Sequence, residues 1–347
     1  MSVTRVLTVD PHAPEPAMIA DAAQVLRAGG LVAFPTETVY GLGALALDPK
    51  AVARVFVAKG RPATDPLIVH VATVDHLAQV LDAEPPALRT LAARFWPGPL
   101  TVIGPRHARV PEAVTAGGPS VAVRVPAHPV AQALLHATGA PIAAPSANRF
   151  SHPSPTSADH VRADLDGRID LIVDGGPTPV GVESTIVDLS QVPPMVLRPG
   201  GVTVEALRAV LGEISVRARH LAETETATAP GEFLRHYAPR TPLTVIDGLP
   251  AQAEAVLHRA LNTARARDQK VGLLLIGAPI TTVTAQAVVT LPAGDDLAPA
   301  ARRLFAALRD LDAAGCDHLY ALLPPPAGLG LAIRDRLIRA AEGRILI

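Results

Sequence analysis

The sequence predicts two α/β domains joined by a linker, and three observations point there. Short apolar runs of Val, Ile, Leu and Ala recur along the chain and interleave with segments of helical periodicity. The pattern breaks once, between about Val202 and Arg240, at the Thr, Ala and Glu-rich stretch LAETETATAPGE. A chain of 347 residues also exceeds one ordinary core and suits two domains of roughly 100–200 residues. The expected division is 1–202, a linker 203–240, and a smaller domain 241–347.

In the first domain, Ile19 to Arg27 reads as a helix stopped by Gly29 and Gly30, and Leu31 to Phe34 as a buried strand ended by Pro35. Asp48 with Pro49 marks the start of a helix running to about Lys59. Strands follow at Leu67–Val71, Leu100–Ile103, Val121–Val125, Ile142–Ala144, Ile169–Val173, Ser184–Leu189 and Met195–Arg198. Helices separate only some of them, so the sheet is expected to be mixed and twisted. A helix headed by Thr203 opens the linker. Beyond it, strands at Leu243–Ile246, Val271–Ile276, Ala287–Leu291 and His318–Leu322 and helices at Pro250–Arg267, Leu297–Leu311 and Ala332–Glu342 predict a small Rossmann-like layer. The stripe Leu297, Ala301, Leu304, Leu308 and Leu311 is core spacing and carries no chemistry.

Composition narrows the function classes. A net charge of −1 disfavours stable nucleic-acid binding, which needs a cationic surface. Cys316 is the single cysteine, so neither an intrachain disulfide nor a cysteine-based zinc site can form, and a reducing, cytoplasmic setting is expected. No apolar run reaches the roughly 18 residues of a membrane span. Gly176-PTPV-Gly181 has Walker A glycine spacing but lacks the lysine, and Gly41-Leu-Gly43 and Gly328-Leu-Gly330 each lack the third dinucleotide glycine.

What remains is a set of polar residues at strand ends, where ligands gather in α/β proteins. Pro35-Thr-Glu-Thr-Val-Tyr-Gly-Leu-Gly43 is expected to open a helical turn, its hydroxyls and amides serving either as caps or as an anion site. Lys59 and Arg61 put cations at a helix end, where the helix dipole alone accounts for them. Arg124 interrupts the buried strand Val121-Ala-Val-Arg-Val125 and needs an anionic partner, met either by a ligand or by a protein Asp or Glu. Ala143-Ala-Pro-Ser-Ala-Asn148 and Ser151-His-Pro-Ser-Pro-Thr156 bring small hydroxyl residues to strand-to-loop junctions. Ser184 starts a strand, and Arg198 precedes the turn Pro199-Gly-Gly201.

Taken in order, these motifs resemble the YrdC-like (TsaC-type) family of threonylcarbamoyl-AMP synthases in its two-domain form. The resemblance runs from about Ala20 to Gly201 and again through Ala229-Pro-Gly and His236-Tyr-Ala-Pro239. It also takes in Phe95-Trp-Pro-Gly-Pro-Leu-Thr101 and Pro66-Leu-Ile-Val-His70. It implies a YrdC-like mixed sheet and a synthase making threonylcarbamoyl-AMP and pyrophosphate from L-threonine, bicarbonate or CO₂, and ATP with Mg²⁺. The product would pass to a tRNA threonylcarbamoyl-transferase that modifies tRNA next to the anticodon.

By the same resemblance Thr38, His70, Arg124, Ala144 and Ser184 line a threonine site, and Arg61, Asp65, Ser120, Ser146, Ser154, Arg198 and Tyr237 hold ATP. Tyr237 belongs to the linker, which would close over the nucleotide. Asp65 stands where the family commonly has Asn. No protein metal site and no general base is named; positioning and electrostatics suffice for nucleotidyl transfer. The alternative is a double-stranded RNA or tRNA-binding module without synthase activity. A zinc-finger carbamoyl-transfer factor with a YrdC-like domain is excluded by the single cysteine.

Overall fold

Asp48, Pro49 and Gly60 bound a helix as their chemistry requires. The Asp48 carboxylate accepts from the Lys50 and Ala51 amides, Pro49 occupies the first turn, and Gly60 ends it at φ 65°. The structure is a computed structural model that describes every residue but 1–2, 218–226, 228, 230, 232, 278–283, 293 and 295. It divides into a first unit, Met1–Phe150 with Ser154–Glu232, and a second, Ser151–Pro153 with Phe233–Ile347.

The first unit runs β1 (Arg5–Thr8), α1 (Pro16–Arg27), β2 (Val32–Pro35), β3 (Tyr40–Leu45), α2 (Pro49–Lys59), β4 (Ile68–His70), α3 (Leu88–Phe95), β5 (Leu100–Pro105) and β6 (Ser120–Arg124). It continues with α4 (Pro129–Thr138), β7 (Ile142–Ala143), α5 (Ala158–Leu165), β8 (Leu171–Asp174), β9 (Thr185–Asp188), β10 (Met195–Arg198), α6 (Val204–Leu211) and β11 (Ser215–Val216). All described strands of this unit join one mixed sheet, ordered β1-β8-β2-β3-β7-β4-β6-β5-β9-β10-β11. Ile19, Ala22, Ala23 and Leu26 recur at helical spacing on α1 and pack with Val130, Leu134 and Leu135 of α4 over Val32, Phe34, Leu171 and Val173. Each such buried Leu, Ile or Val side chain contributes about 1.5–3 kcal/mol.

The segment after Pro35 is not helical. Thr36 Oγ1 accepts from the Thr38 and Val39 amides and donates to the Val39 carbonyl, closing a tight hairpin in which Pro35 faces Tyr40. Threonine serves here as a turn hydroxyl rather than an N-cap, and the β-branched and aromatic residues that follow favour strand. Gly43 has a packing role: a Cβ there would lie 2.8 Å from the Phe34 ring and 2.9 Å from Ile142. Its absence leaves room for the Phe34 ring beside β3, and that ring meets the His70 ring edge-on at 6.4 Å.

Residues 203–217, expected in the linker, belong to the first unit. Thr203 Oγ1 caps α6 at the Ala206 amide, and β11 pairs in parallel with β10. The stretch 221–232 lies largely outside the described residues. Of it, Ala229 packs with Ile68, Ile103, Ala122, Ile186 and Leu197, and the Ala227 amide donates to the Thr64 carbonyl.

The second unit comprises β12 (Leu243–Ile246), α7 (Pro250–Ala266), β13 (Val271–Ile276), β14 (Ala287–Leu291), α8 (Ala298–Ala313), β15 (His318–Leu322), α9 (Leu329–Ala340) and β16 (Ile345–Leu346). Its described strands pair in parallel in the order β14-β13-β15-β12-β16. The layer is parallel and helix-covered as expected, but β15 lies between β12 and β13, unlike the 3-2-1-4-5 order of the doubly wound dinucleotide fold. Ala301, Leu304, Leu308 and Leu311 form the buried stripe of α8. Among the described residues, no helix is long and apolar enough to cross a membrane.

Candidate active site

Strand register places the polar residues on one sheet face. His70 pairs with Arg124, Thr101 with Ile186, and Ile103 with Ala122, so alternation along each strand turns His70, Arg124, Thr101 and Ser184 to the face that carries Ile68, Ala122, Ile103 and Ile186. A bulge in β10 sets Arg198 opposite Ile186 on that same face. Thr38, in the β2–β3 turn, reaches Arg124 although β7 and β4 separate β3 from β6 in the sheet.

Arg124 is 3% exposed, and each of its three guanidinium nitrogens faces a protein oxygen. Nε donates to the Gly98 carbonyl at 3.2 Å, Nη1 to Thr38 Oγ1 at 3.0 Å, and Nη2 lies 2.8 Å from Glu37 Oε1. The last contact is an ion pair without hydrogen-bond alignment. Glu37 Oε2 accepts from the Ala127 amide at 3.0 Å. The anionic partner that Arg124 requires is thus a protein carboxylate. Glu37, visible in Pro35-Thr-Glu-Thr38 but given no role in the sequence reading, is the residue that supplies it.

Ser184 is held from three sides. Its Oγ lies 2.8 Å from Thr101 Oγ1, and Arg198 donates from Nε and Nη2 to its carbonyl at 3.1 and 3.0 Å and from Nη2 to its Oγ at 3.2 Å. One expected threonine ligand and one expected ATP ligand are thereby locked together, and Thr101 is a further residue the motif reading passed over. Ser154 donates to Glu183, next to Ser184.

Three of the remaining expected ATP ligands, Arg61, Asp65 and Ser146, gather around a second buried cation, Lys59. Lys59 Nζ donates to the carbonyls of Ser146 and Asn148 at 2.5 Å each, and Ser146 Oγ donates to Asn148 Oδ1. Burial, then the neighbouring Arg61 charge, push the Lys59 pKa well below its ordinary value. Arg61 bonds the Asp65 and Pro66 carbonyls and pairs with the Asp65 carboxylate at 2.8 Å, both side chains being buried. Asp65 is therefore neutralised by Arg61, which removes the repulsion a bare carboxylate would exert on phosphates. Ala144 donates its amide to Ile68, and Ser120 lies four residues before Arg124 on the same face of β6, about 13 Å away. Such spacing suits an elongated ligand laid along the face.

Tyr237 belongs to the second unit. It is fully buried at φ 63°, its ring 5.3 Å from Phe305 with Arg339 and Arg336 at 4.6 and 5.3 Å.

His70 is 3% exposed, and its Nδ1 has no hydrogen-bond partner. Burial, then the Arg124 charge, lower its pKa to about 3, so it is neutral at physiological pH. Unfolded, the imidazole titrates near 6.5, so its contribution to stability is whole above that pH and falls away as pH drops toward 3. His70→Asn is expected to flatten the acid loss of stability between pH 6.5 and 4 by at most about 1.4 kcal/mol per pH unit. Urea melts across that range check this; an unchanged slope would contradict a buried neutral imidazole.

No cluster of three or more potential metal ligands occurs among the described residues. The carboxylates nearest the site, Glu37, Asp65 and Glu183, are engaged by Arg124, Arg61 and Ser154.

Two family profiles match the chain. One, described as telomere recombination (Sua5/YciO/YrdC), spans residues 24–200; the other, described as the C-terminal domain of threonylcarbamoyl-AMP synthase, spans 202–342. A Pyrococcus abyssi protein named threonylcarbamoyl-AMP synthase is 45% identical, the match covering 94% of each chain. A Bacillus subtilis protein of the same name is 44% identical over 94% of each, and a Schizosaccharomyces pombe one is 39% identical over 93% of this chain and 88% of its own. The crystal structure of P. abyssi Sua5 complexed with L-threonine superposes with a TM-score of 0.93 at 43% identity, covering 99% of both chains. Matched over both units in sequence and over nearly its whole length in structure, the chain belongs to the Sua5/YciO/YrdC family in its two-domain form.

Proposed function

We propose that the chain is an L-threonylcarbamoyladenylate synthase, a nucleotidyltransferase converting L-threonine, bicarbonate or CO₂, and ATP into threonylcarbamoyl-AMP and pyrophosphate. The observation that carries the reading is the polar set His70, Arg124 and Ser184 on one sheet face with Thr38 bonded to Arg124, in a chain that superposes along 99% of its length on a relative holding L-threonine. In this reading Arg124 meets the amino-acid carboxylate and His70 accepts a hydrogen bond through its unpartnered Nδ1. An imidazole with a pKa of about 3 is too weak a base to strip an ammonium group, so His70 reads the substrate hydroxyl and is not the general base.

ATP lies against Arg61, Asp65, Ser120, Ser146, Ser154 and Arg198 in the same reading. The free amine of threonine adds to the carbon of CO₂ and gives up a proton, or displaces water from bicarbonate, and either route gives a carbamate. A carbamate oxygen attacks the α-phosphorus, the bond from the α-phosphorus to the bridging oxygen breaks, and pyrophosphate leaves with the electron pair. The chain supplies positioning and fixed positive charge. Mg²⁺ would accompany ATP and would help neutralise the charge on the departing pyrophosphate. Ala229 packs with Ile68 and Ala122 on the face that carries the site. The water-labile adenylate is made in the cytoplasm and handed to a tRNA threonylcarbamoyl-transferase.

The test is to incubate the protein with ATP, Mg²⁺, bicarbonate and L-threonine and to follow pyrophosphate and the adenylate by mass spectrometry. Pyrophosphate release is expected to require threonine; release that ignores its omission would sink the assignment.

A further inference from the structure

A buried arginine used only to seize a carboxylate would do so best alone, because a neighbouring carboxylate weakens its field. Arg124 is not alone: Glu37 Oε1 lies 2.8 Å from its Nη2. The pair is close to charge-neutral, and both members are buried. Glu37 is itself fixed, its Oε2 by the Ala127 amide and its backbone carbonyl by the Val180 amide. Oε1 makes no aligned hydrogen bond to a described group, which leaves a lone pair open beside its ion pair with Arg124.

A neutral pair of opposite charges matches a ligand that carries both signs. An amino acid does: its carboxylate suits Arg124 and its ammonium suits Glu37. A ligand bearing only a carboxylate meets the repulsion of Glu37 with no compensating gain. We infer that Glu37 is a specificity-determining residue, which makes the threonine site select a zwitterionic amino acid over carboxylates that lack the amine. The inference rests on the synthase reading of this site, and the role is distinct from merely holding the Arg124 fork in place.

The two roles separate by the sign of one effect. Calorimetric titration of L-threonine and of 3-hydroxybutanoate, the same carbon chain without the amine, is carried out on the wild-type protein and on Glu37→Gln. Wild type is expected to bind 3-hydroxybutanoate roughly a hundredfold more weakly than threonine. In Glu37→Gln, threonine is expected to weaken about tenfold while 3-hydroxybutanoate tightens by a similar factor. Parallel weakening of both ligands assigns Glu37 a purely structural role and overturns the inference, as does an unchanged pair of affinities. Equal affinity of wild type for the two ligands overturns it without any variant, so the test stands even where Glu37→Gln does not fold. Selective threonine binding by a wild-type protein that makes no adenylate would instead undo the synthase reading and leave the selectivity intact.

Discussion

Arg124→Ala is expected to cut threonine-dependent pyrophosphate release by at least about a hundredfold and to lower the unfolding free energy by about 3–5 kcal/mol. The two losses have one origin. The guanidinium serves the Gly98 carbonyl, the Thr38 hydroxyl and the Glu37 carboxylate simultaneously, and its removal leaves Glu37 buried with a charge and no counter-ion. Lysine is a poor substitute, since a single ammonium cannot replace three donors held in a planar fork. The double variant Arg124→Leu with Glu37→Leu separates stability from chemistry. It removes both charges together, so most of the stability is expected to return while activity stays lost. Urea melts and the pyrophosphate assay on the three proteins decide the matter. A double variant no more stable than Arg124→Ala would mean that the buried pair does not account for the loss.

Much of this site was legible because each of its motifs ends a strand. His70, Arg124, Ser184 and Arg198 are all found at or beside the strand ends where the apolar runs had placed them. The fold followed for the same reason: apolar runs of four to six residues resolve into β5, β6, β10, β12, β13, β14 and β15 within a residue or two. What escaped the sequence was pairing. Thr36-Glu-Thr38 has the composition of a helix cap, and only the return of Tyr40 against Pro35 makes it a hairpin. Nothing local announces that Glu37 will meet Arg124, 87 positions on, or that Thr101 will meet Ser184, because those encounters depend on sheet order. The strand inside the expected 203–240 linker was hidden for a related reason. A short strand such as Ser215–Val216 carries too few residues to show a period, and it is recognised only when it pairs with β10. Lys59 and Arg61 were readable as helix-end cations, yet their burial, which sets their roles with Ser146, Asn148 and Asp65, is a tertiary fact.

Gly200 carries the second large effect. A Cβ built there would stand 2.2 Å from the Glu183 carbonyl oxygen and 2.5 Å from the Ser184 carbonyl carbon and the Thr185 nitrogen. All three are backbone atoms at the mouth of β9, so no side-chain rotation relieves the clash; the turn after Arg198 must move away from the strand. The adjoining Gly201 amide bonds the Glu183 carbonyl at 3.1 Å, and that contact stretches with it. Arg198, two residues earlier, then loses the geometry that bonds it to the Ser184 carbonyl and hydroxyl. Gly200→Ala is expected to cost about 1–3 kcal/mol of stability from overpacking. Because one expected threonine ligand and one expected ATP ligand shift together, kcat/KM is expected to fall by about a hundredfold, the usual penalty for a displacement near 1 Å. Gly294→Ala serves as control, since no atom of a described residue lies within 4 Å of the added methyl, and it is expected to leave both quantities unchanged. Should Gly200→Ala lose stability but keep wild-type KM values for threonine and ATP with full turnover, the Arg198–Ser184 lock would be a packing feature and not the device that sets the two substrates against each other.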